Sequence, residues 1–141
     1  MIRFTFGDDR VDIRGWEVYS NDAHMVGSVE SFFIDMHAKA VRYVGIALHD
    51  TETGAPTGTV LVPVGAVVRR SERRVVMVRA LSSAQLAAAP RLPNRPITRA
   101  DEDATLAVYG MATSRDVSAV DLYNGPNFAE HELFGARDGG R

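Results

Sequence analysis

GSVESFFIDMHAKAVRYVGIAL, residues Gly27 to Leu48, sets two strongly apolar runs on either side of an acid, a histidine and a lysine. Val29 to Ile34 is rich in β-branched and aromatic residues, and Val41 to Leu48 repeats that character. Such runs read as strands, with the polar stretch Asp35-Met36-His37-Ala38-Lys39 as the hairpin turn between them. Val41, Tyr43 and Ala47 fall on one face of the second strand, and Val44, Ile46 and Leu48 on the other. A strand apolar on both faces belongs to a barrel wall with something packed outside it.

The neighbouring segments extend that pattern. Trp16 to Tyr19 is short and β-prone, and Ser20 to His24 carries turn chemistry. His49 to Gly58 reads as a hairpin loop punctuated by Gly and Pro. Thr59 to Val68 returns as a strand that Pro63 and Gly65 must interrupt with a bulge or an edge. Arg69 to Arg74 is the next turn and Val75 to Val78 the next strand. Several short strands with frequent turns predict a mainly β fold, a small antiparallel barrel.

Beyond residue 81 the pattern turns helical. Ser82 and Gln85 have capping-box spacing ahead of Leu86, and Pro90 stops that helix. Thr98 opens a second helix whose Asp101, Glu102 and Asp103 place negative charge at its positive end. It carries Leu106, Val108 and Tyr109 before Gly110 ends it. The expected organisation is a lead over 1–11, the barrel over 12–81, a helical extension over 82–110, and a flexible, partly disordered tail over 111–141.

Composition narrows the function classes. A chain of 141 residues with 45% hydrophobic and 24% charged content fits one globular domain. No cysteine is present, which excludes disulfides and thiolate metal sites. The N-terminal stretch has no signal-like apolar core, and no apolar run approaches the ~20 residues of a membrane span. The expectation is a cytoplasmic protein with no transmembrane segment. A formal net charge of −2 gives no global pull toward nucleic acid.

The order of motifs resembles a known family. DIRGWEVYSNDAHMVGSVESFFID, VRYVGIAL and GTVLVPVGAVV resemble the PRC-barrel, and more narrowly the cytoplasmic domain of the photosynthetic reaction-centre H subunit. ALSSAQLAAAP followed by ITRADEDATLAVYG is similar to that subunit's short helix, proline and T-x-x-E-E-x-x-x-x-Y-x-x-G element. The resemblance covers about Asp12 to Gly110 and implies a non-catalytic module for protein interaction and assembly. In the H subunit, an Asp and a Glu three residues later serve a proton path toward a quinone. Asp35 matches the Asp, and Ala38 stands where the Glu would be. Two further readings follow from the family: a ribosome- or RNA-associated accessory role, like the C-terminal domain of a ribosome maturation factor, and participation in photosynthetic electron or proton transfer.

The candidate sites are few. Asp35 and His37, with Arg42 nearby, offer a turn held by a carboxylate, or a proton-relay or partner-contact group. A metal site would need a third ligand, which the local sequence does not supply. Arg69, Arg70, Arg73 and Arg74 form a basic hairpin tip, either solvated or a contact for an anionic partner. That hairpin contains no aromatic residue for base stacking, so nucleic acid is the disfavoured partner. Tyr123, Phe128 and Phe134 punctuate a polar tail, and either fold back onto the barrel or anchor a second subunit. No phosphate loop, dinucleotide fingerprint or nucleophile elbow is present, so the sequence points to no cofactor and to no enzyme. The expected partner is a protein of unknown identity, a second copy of the chain included, because open strand edges invite pairing.

Overall fold

The computed structural model describes residues 2–4, 13–50, 52–70, 72–113 and 119–129. Its centre is the hairpin of β3 (Met25–Asp35) and β4 (Ala40–His49). β1 (Ile2–Phe4) and β2 (Glu17–Tyr19) share the other edge of β3, at Phe32–Ile34 and Met25–Ser28 respectively. β5 (Pro56–Pro63) lies antiparallel to β4, while β6 (Val67–Arg70) and β7 (Val75–Val78) form the last hairpin. The strand order is β5-β4-β3-β2-β7-β6, with β1 off this path on β3.

Two features differ from the expected antiparallel barrel. β2 and β7 are parallel, which the long crossover through β3 to β6 permits. No ladder joins β5 to β6 among the described residues, so hydrogen bonding does not close the sheet. The interruption expected at Pro63 and Gly65 is a 3-10 turn, Val64–Ala66, that makes the corner between β5 and β6.

The outer edge of β5 is occupied by the chain itself. The carbonyl oxygens of Thr57, Thr59 and Leu61 accept from Arg91 Nε, the Leu92 amide and the Tyr109 hydroxyl, at 2.8, 2.8 and 2.6 Å. Alternate carbonyls of an edge strand point away from its paired neighbour, and these three are satisfied by the segment that follows the sheet.

Both faces of the β3–β4 hairpin are buried, each in its own cluster. Val26, Val29, Phe32, Val44, Ile46 and Leu48 belong to the main core, which Leu86 and Tyr109 also enter. Phe33, Tyr43 and Leu61 face the other way and pack against Leu106, Leu122 and Phe128. Val41 departs from the alternation: it lies in the main core although Tyr43 faces outward. The cause is a bulge. Ile34 pairs with Val41 and Phe33 with Tyr43, leaving Arg42 as the extra residue and reversing the side-chain sense beyond it.

The helices are α1 (Ser83–Ala88), which packs Leu86 into the main core, and α2 (Arg99–Val108) and α3 (Ala119–Asn124), which cover the outer face, the last followed by a 3-10 turn, Pro126–Phe128. Ser82 and Thr98 each form a complete capping box, as their spacing predicted. Two helices were expected and the third lies in the stretch expected to be flexible. Its six residues are too few for helical periodicity to reveal, and tertiary contacts at Leu122 stabilise it.

Gly27 gives this core a direct test. A Cβ at that position would sit 2.0 Å from the Ala47 carbonyl oxygen across the ladder. Gly27→Ala therefore forces β3 and β4 apart, with an expected loss of about 1–3 kcal/mol in urea denaturation.

Candidate functional site

Four of the residues singled out by sequence converge on one place, around a carboxylate that was not among them. Glu102, on the first turn of α2, is 5% exposed. Its Oε1 accepts from the hydroxyl of Tyr43 on β4 at 2.8 Å and from that of Tyr123 on α3 at 2.5 Å. Arg99, one helical turn earlier, brings Nη1 to 3.8 Å from the same oxygen. Phe128 closes the cluster with edge-to-face contacts to Tyr43 and Tyr123, at ring separations of 5.3 and 5.0 Å.

Asp35 and Arg42 join it from the hairpin. Asp35 ends β3 and accepts from the amides of His37 and Ala38 at 3.0 and 3.2 Å, which is the turn-holding arrangement. Its Oδ2 lies 3.5 Å from Arg42 Nε. Partial burial opposes ionisation of Asp35, but the Ala38 amide, the Arg42 charge and the His37 amide outweigh it and hold the carboxyl below its ordinary value. The Arg42 guanidinium lies 4.5 Å from the Tyr123 ring centre, and that of Arg99 lies 5.1 Å from it. Arg42 Nε is buried without a hydrogen-bond partner, so its link to Asp35 is an ion contact.

This arrangement separates two chemistries. Hydroxyl protons of Tyr43 and Tyr123 point at one carboxylate. Burial, reinforced by the Glu102 charge and hydrogen bond, pushes both phenols well above their usual range. Arg42 stands between Asp35 and the Tyr123 ring, and the shared carboxylate ties β4, α2 and α3 together.

The other candidates lie elsewhere. His37 is exposed in the turn, and only its backbone amide meets Asp35; the strand spacing that would align the two side chains ends at Asp35. The Arg69–Arg74 hairpin is on the opposite part of the sheet path, at β6 and β7. Tertiary structure supplies aromatics that its own sequence lacks: Arg74 lies 5.4 Å from the Trp16 ring centre, and Tyr19 shares a cavity with Arg70 and Arg73. Phe134 lies outside the described residues. Among the described residues, no three His, Asp or Glu side chains group as metal ligands, and no helix is long and apolar enough to cross a membrane.

Two signals for the missed residues were present in the sequence. Glu102 shares a helical face with Leu106 and Tyr109, so one acid sits in the apolar stripe of α2. Tyr43, the one hydroxyl-bearing residue on an otherwise apolar strand face, requires a buried acceptor.

With the geometry established, comparison with known proteins identifies the fold. The PRC-barrel domain matches residues 8–85, more than half of the chain. The chain belongs to the PRC-barrel family. No curated protein matches the sequence. The family match covers β2 to β7 and the first half of α1, while β1, Glu102, Tyr123 and Phe128 lie outside it. This PRC barrel therefore shares only Tyr43, Asp35 and Arg42 of the cluster with the matched region.

Truncation at the centre should be far more costly than at the turn. Glu102→Ala leaves the buried Tyr43 hydroxyl and the half-buried Tyr123 hydroxyl without their acceptor and is expected to cost about 3 kcal/mol. His37→Ala should stay within about 0.5 kcal/mol. Urea denaturation compares the two.

The cap that presents Glu102 adds a pH signature. Arg95 and then the Thr98 amide hold the Asp101 carboxyl at about 2, below its ordinary 3.8. A depressed folded value contributes stability above the unfolded value and loses it as pH falls through the folded one. The stability difference between wild type and Asp101→Asn should thus be constant above about pH 5 and shrink steadily toward pH 2, as read by denaturation at each pH.

Proposed function

We propose that this PRC barrel is a non-catalytic interaction and assembly module, working in the cytoplasm and similar in role to the H-subunit domain of the photosynthetic reaction centre. One observation carries the reading. The buried carboxylate of Glu102 has its acceptor oxygen engaged by two tyrosine hydroxyls on separate elements. A catalytic carboxylate needs a face open to substrate, whereas this one is committed to fixing α2 and α3 on the sheet. Asp35 is committed in the same way, to its own turn and to Arg42.

The helical extension supports the likeness to the H subunit. The T-x-x-E-like element ITRADEDATLAVYG folds as α2 with its cap and lies on the sheet's outer face through Leu106. The family's proton path is a poor fit here. The position of its Glu is Ala38, whose amide donates to Asp35. The partner is a protein. A second copy is disfavoured along β5, whose outward carbonyls are already satisfied.

Affinity capture from cells that make the protein, read by mass spectrometry alongside light scattering of the purified chain, tests the proposal. The expected result is a specific protein retained in near-stoichiometric amount by a bait that scatters as one chain. A mass of two chains makes the partner a second copy. A bait that elutes alone and scatters as one chain contradicts the reading.

A further inference from the structure

The outer faces of the sheet are treated unequally. Over β3, β4 and β5 it is covered by α2, α3 and the Pro126–Phe128 turn. Over β2 and β7 it carries Tyr19, Val75 and Met77, each half-buried, beside Arg70 on β6. These residues, with Ala23, Glu72 and Arg73, line a cavity of about 480 Å³. Its floor is apolar and its rim basic.

The rim cations are available. Arg70 and Arg73 are exposed, and neither guanidinium has an ion-pair or hydrogen-bond partner among the described residues. Arg74, by contrast, is engaged over Trp16. From this pairing of free guanidiniums with an apolar floor, we infer that the Tyr19–Met77 cavity receives a short acidic segment of a protein partner, one bulky apolar side chain seated against Tyr19 and Met77 and its flanking carboxylates on Arg70 and Arg73. The guanidinium fork suits a carboxylate in the bidentate mode. The inference rests on the interaction-module reading and gives the partner its chemistry.

Nucleic acid fits this place less well. A base-stacking groove needs successive free aromatic faces, whereas Tyr19 is the one aromatic among the described residues lining this cavity, and Trp16 already has Arg74 over its ring. Glu72 on the rim repels phosphate and carboxylate alike, so it does not separate the two ligands.

Fluorescence polarisation tests the site with labelled peptides in which glutamate alternates with leucine, glutamate with serine, or lysine with leucine, and with an oligouridine. The glutamate–leucine peptide should bind the wild type, weaken as salt is raised, and lose at least about tenfold in affinity in Arg70→Glu/Arg73→Glu. The serine peptide should bind at least about tenfold more weakly. The charge-reversed variant should instead take the lysine–leucine peptide, which shows that it remains folded. No binding of the glutamate–leucine peptide, equal binding to both proteins, or tighter binding of oligouridine at the same arginines would overturn the inference. If the partner captured from cells is retained by the charge-reversed variant, this cavity is not its dock and the module reading stands. If the peptide binds as expected while no partner is captured, the module reading falls and the site remains.

Discussion

A carboxylate placed among apolar side chains costs several kcal/mol unless donors replace the water it loses. Glu102 finds them on two elements far apart in sequence, the Tyr43 hydroxyl from the sheet and the Tyr123 hydroxyl from the last helix. Each side of that bargain depends on the other, because the Tyr43 hydroxyl is buried, that of Tyr123 half-buried, and both need an acceptor. Removing Glu102 takes the acceptor from both hydroxyls, whereas removing one hydroxyl leaves the carboxylate with the other and with Arg99. The outer cluster of Phe33, Tyr43, Leu61, Leu106, Leu122 and Phe128 supplies the apolar burial, and Glu102 fixes its register.

The bulge at Arg42 makes that geometry available. One extra residue in β4 turns Val41 into the core and leaves Tyr43 facing out toward α2. It also places Arg42 between Asp35 and the Tyr123 ring. The close approach of the tail is equally specific. A Cβ on Gly65 would lie 1.9 Å from the Pro126 carbonyl oxygen, so a glycine at the β5–β6 corner lets the final turn lie directly on the sheet. The tail is thus packed through backbone proximity as well as through its aromatics.

Much of this was legible in the sequence, for reasons tied to particular residues. The β3–β4 hairpin followed from two apolar runs around Asp35. An interruption, expected as a bulge or edge, followed from Pro63 and Gly65, though not its form as a 3-10 corner; both helix starts followed from Ser82/Gln85 and Thr98/Asp101. Each is a local signal whose physics operates within a few residues. The bulge was not legible, because nothing in Val41-Arg42-Tyr43 distinguishes a continuous alternation from one with an inserted residue; only the pairing with Phe33 and Ile34 decides it. The parallel contact of β2 and β7 and the open sheet are properties of the whole chain path. Asp101 was readable as the capping partner of Thr98, but Glu102 and Asp103 looked like equivalent charges at a helix start, and only Glu102 falls on the buried face.

The PRC-barrel match ends within α1, so the elements that complete the outer face lie beyond the matched region. They satisfy the β5 edge, cover one outer face and leave the Tyr19–Met77 face uncovered. The Glu102 cluster is the tie between those elements and the sheet. Hydrogen–deuterium exchange resolved by segment tests that tie most directly. Amides of 122–128 in the wild type should be protected like those of α2, and in Tyr43→Phe/Tyr123→Phe they should exchange much faster while β3 and β4 remain slow. Unprotected exchange of 122–128 in the wild type, or no change in the double variant, would contradict it.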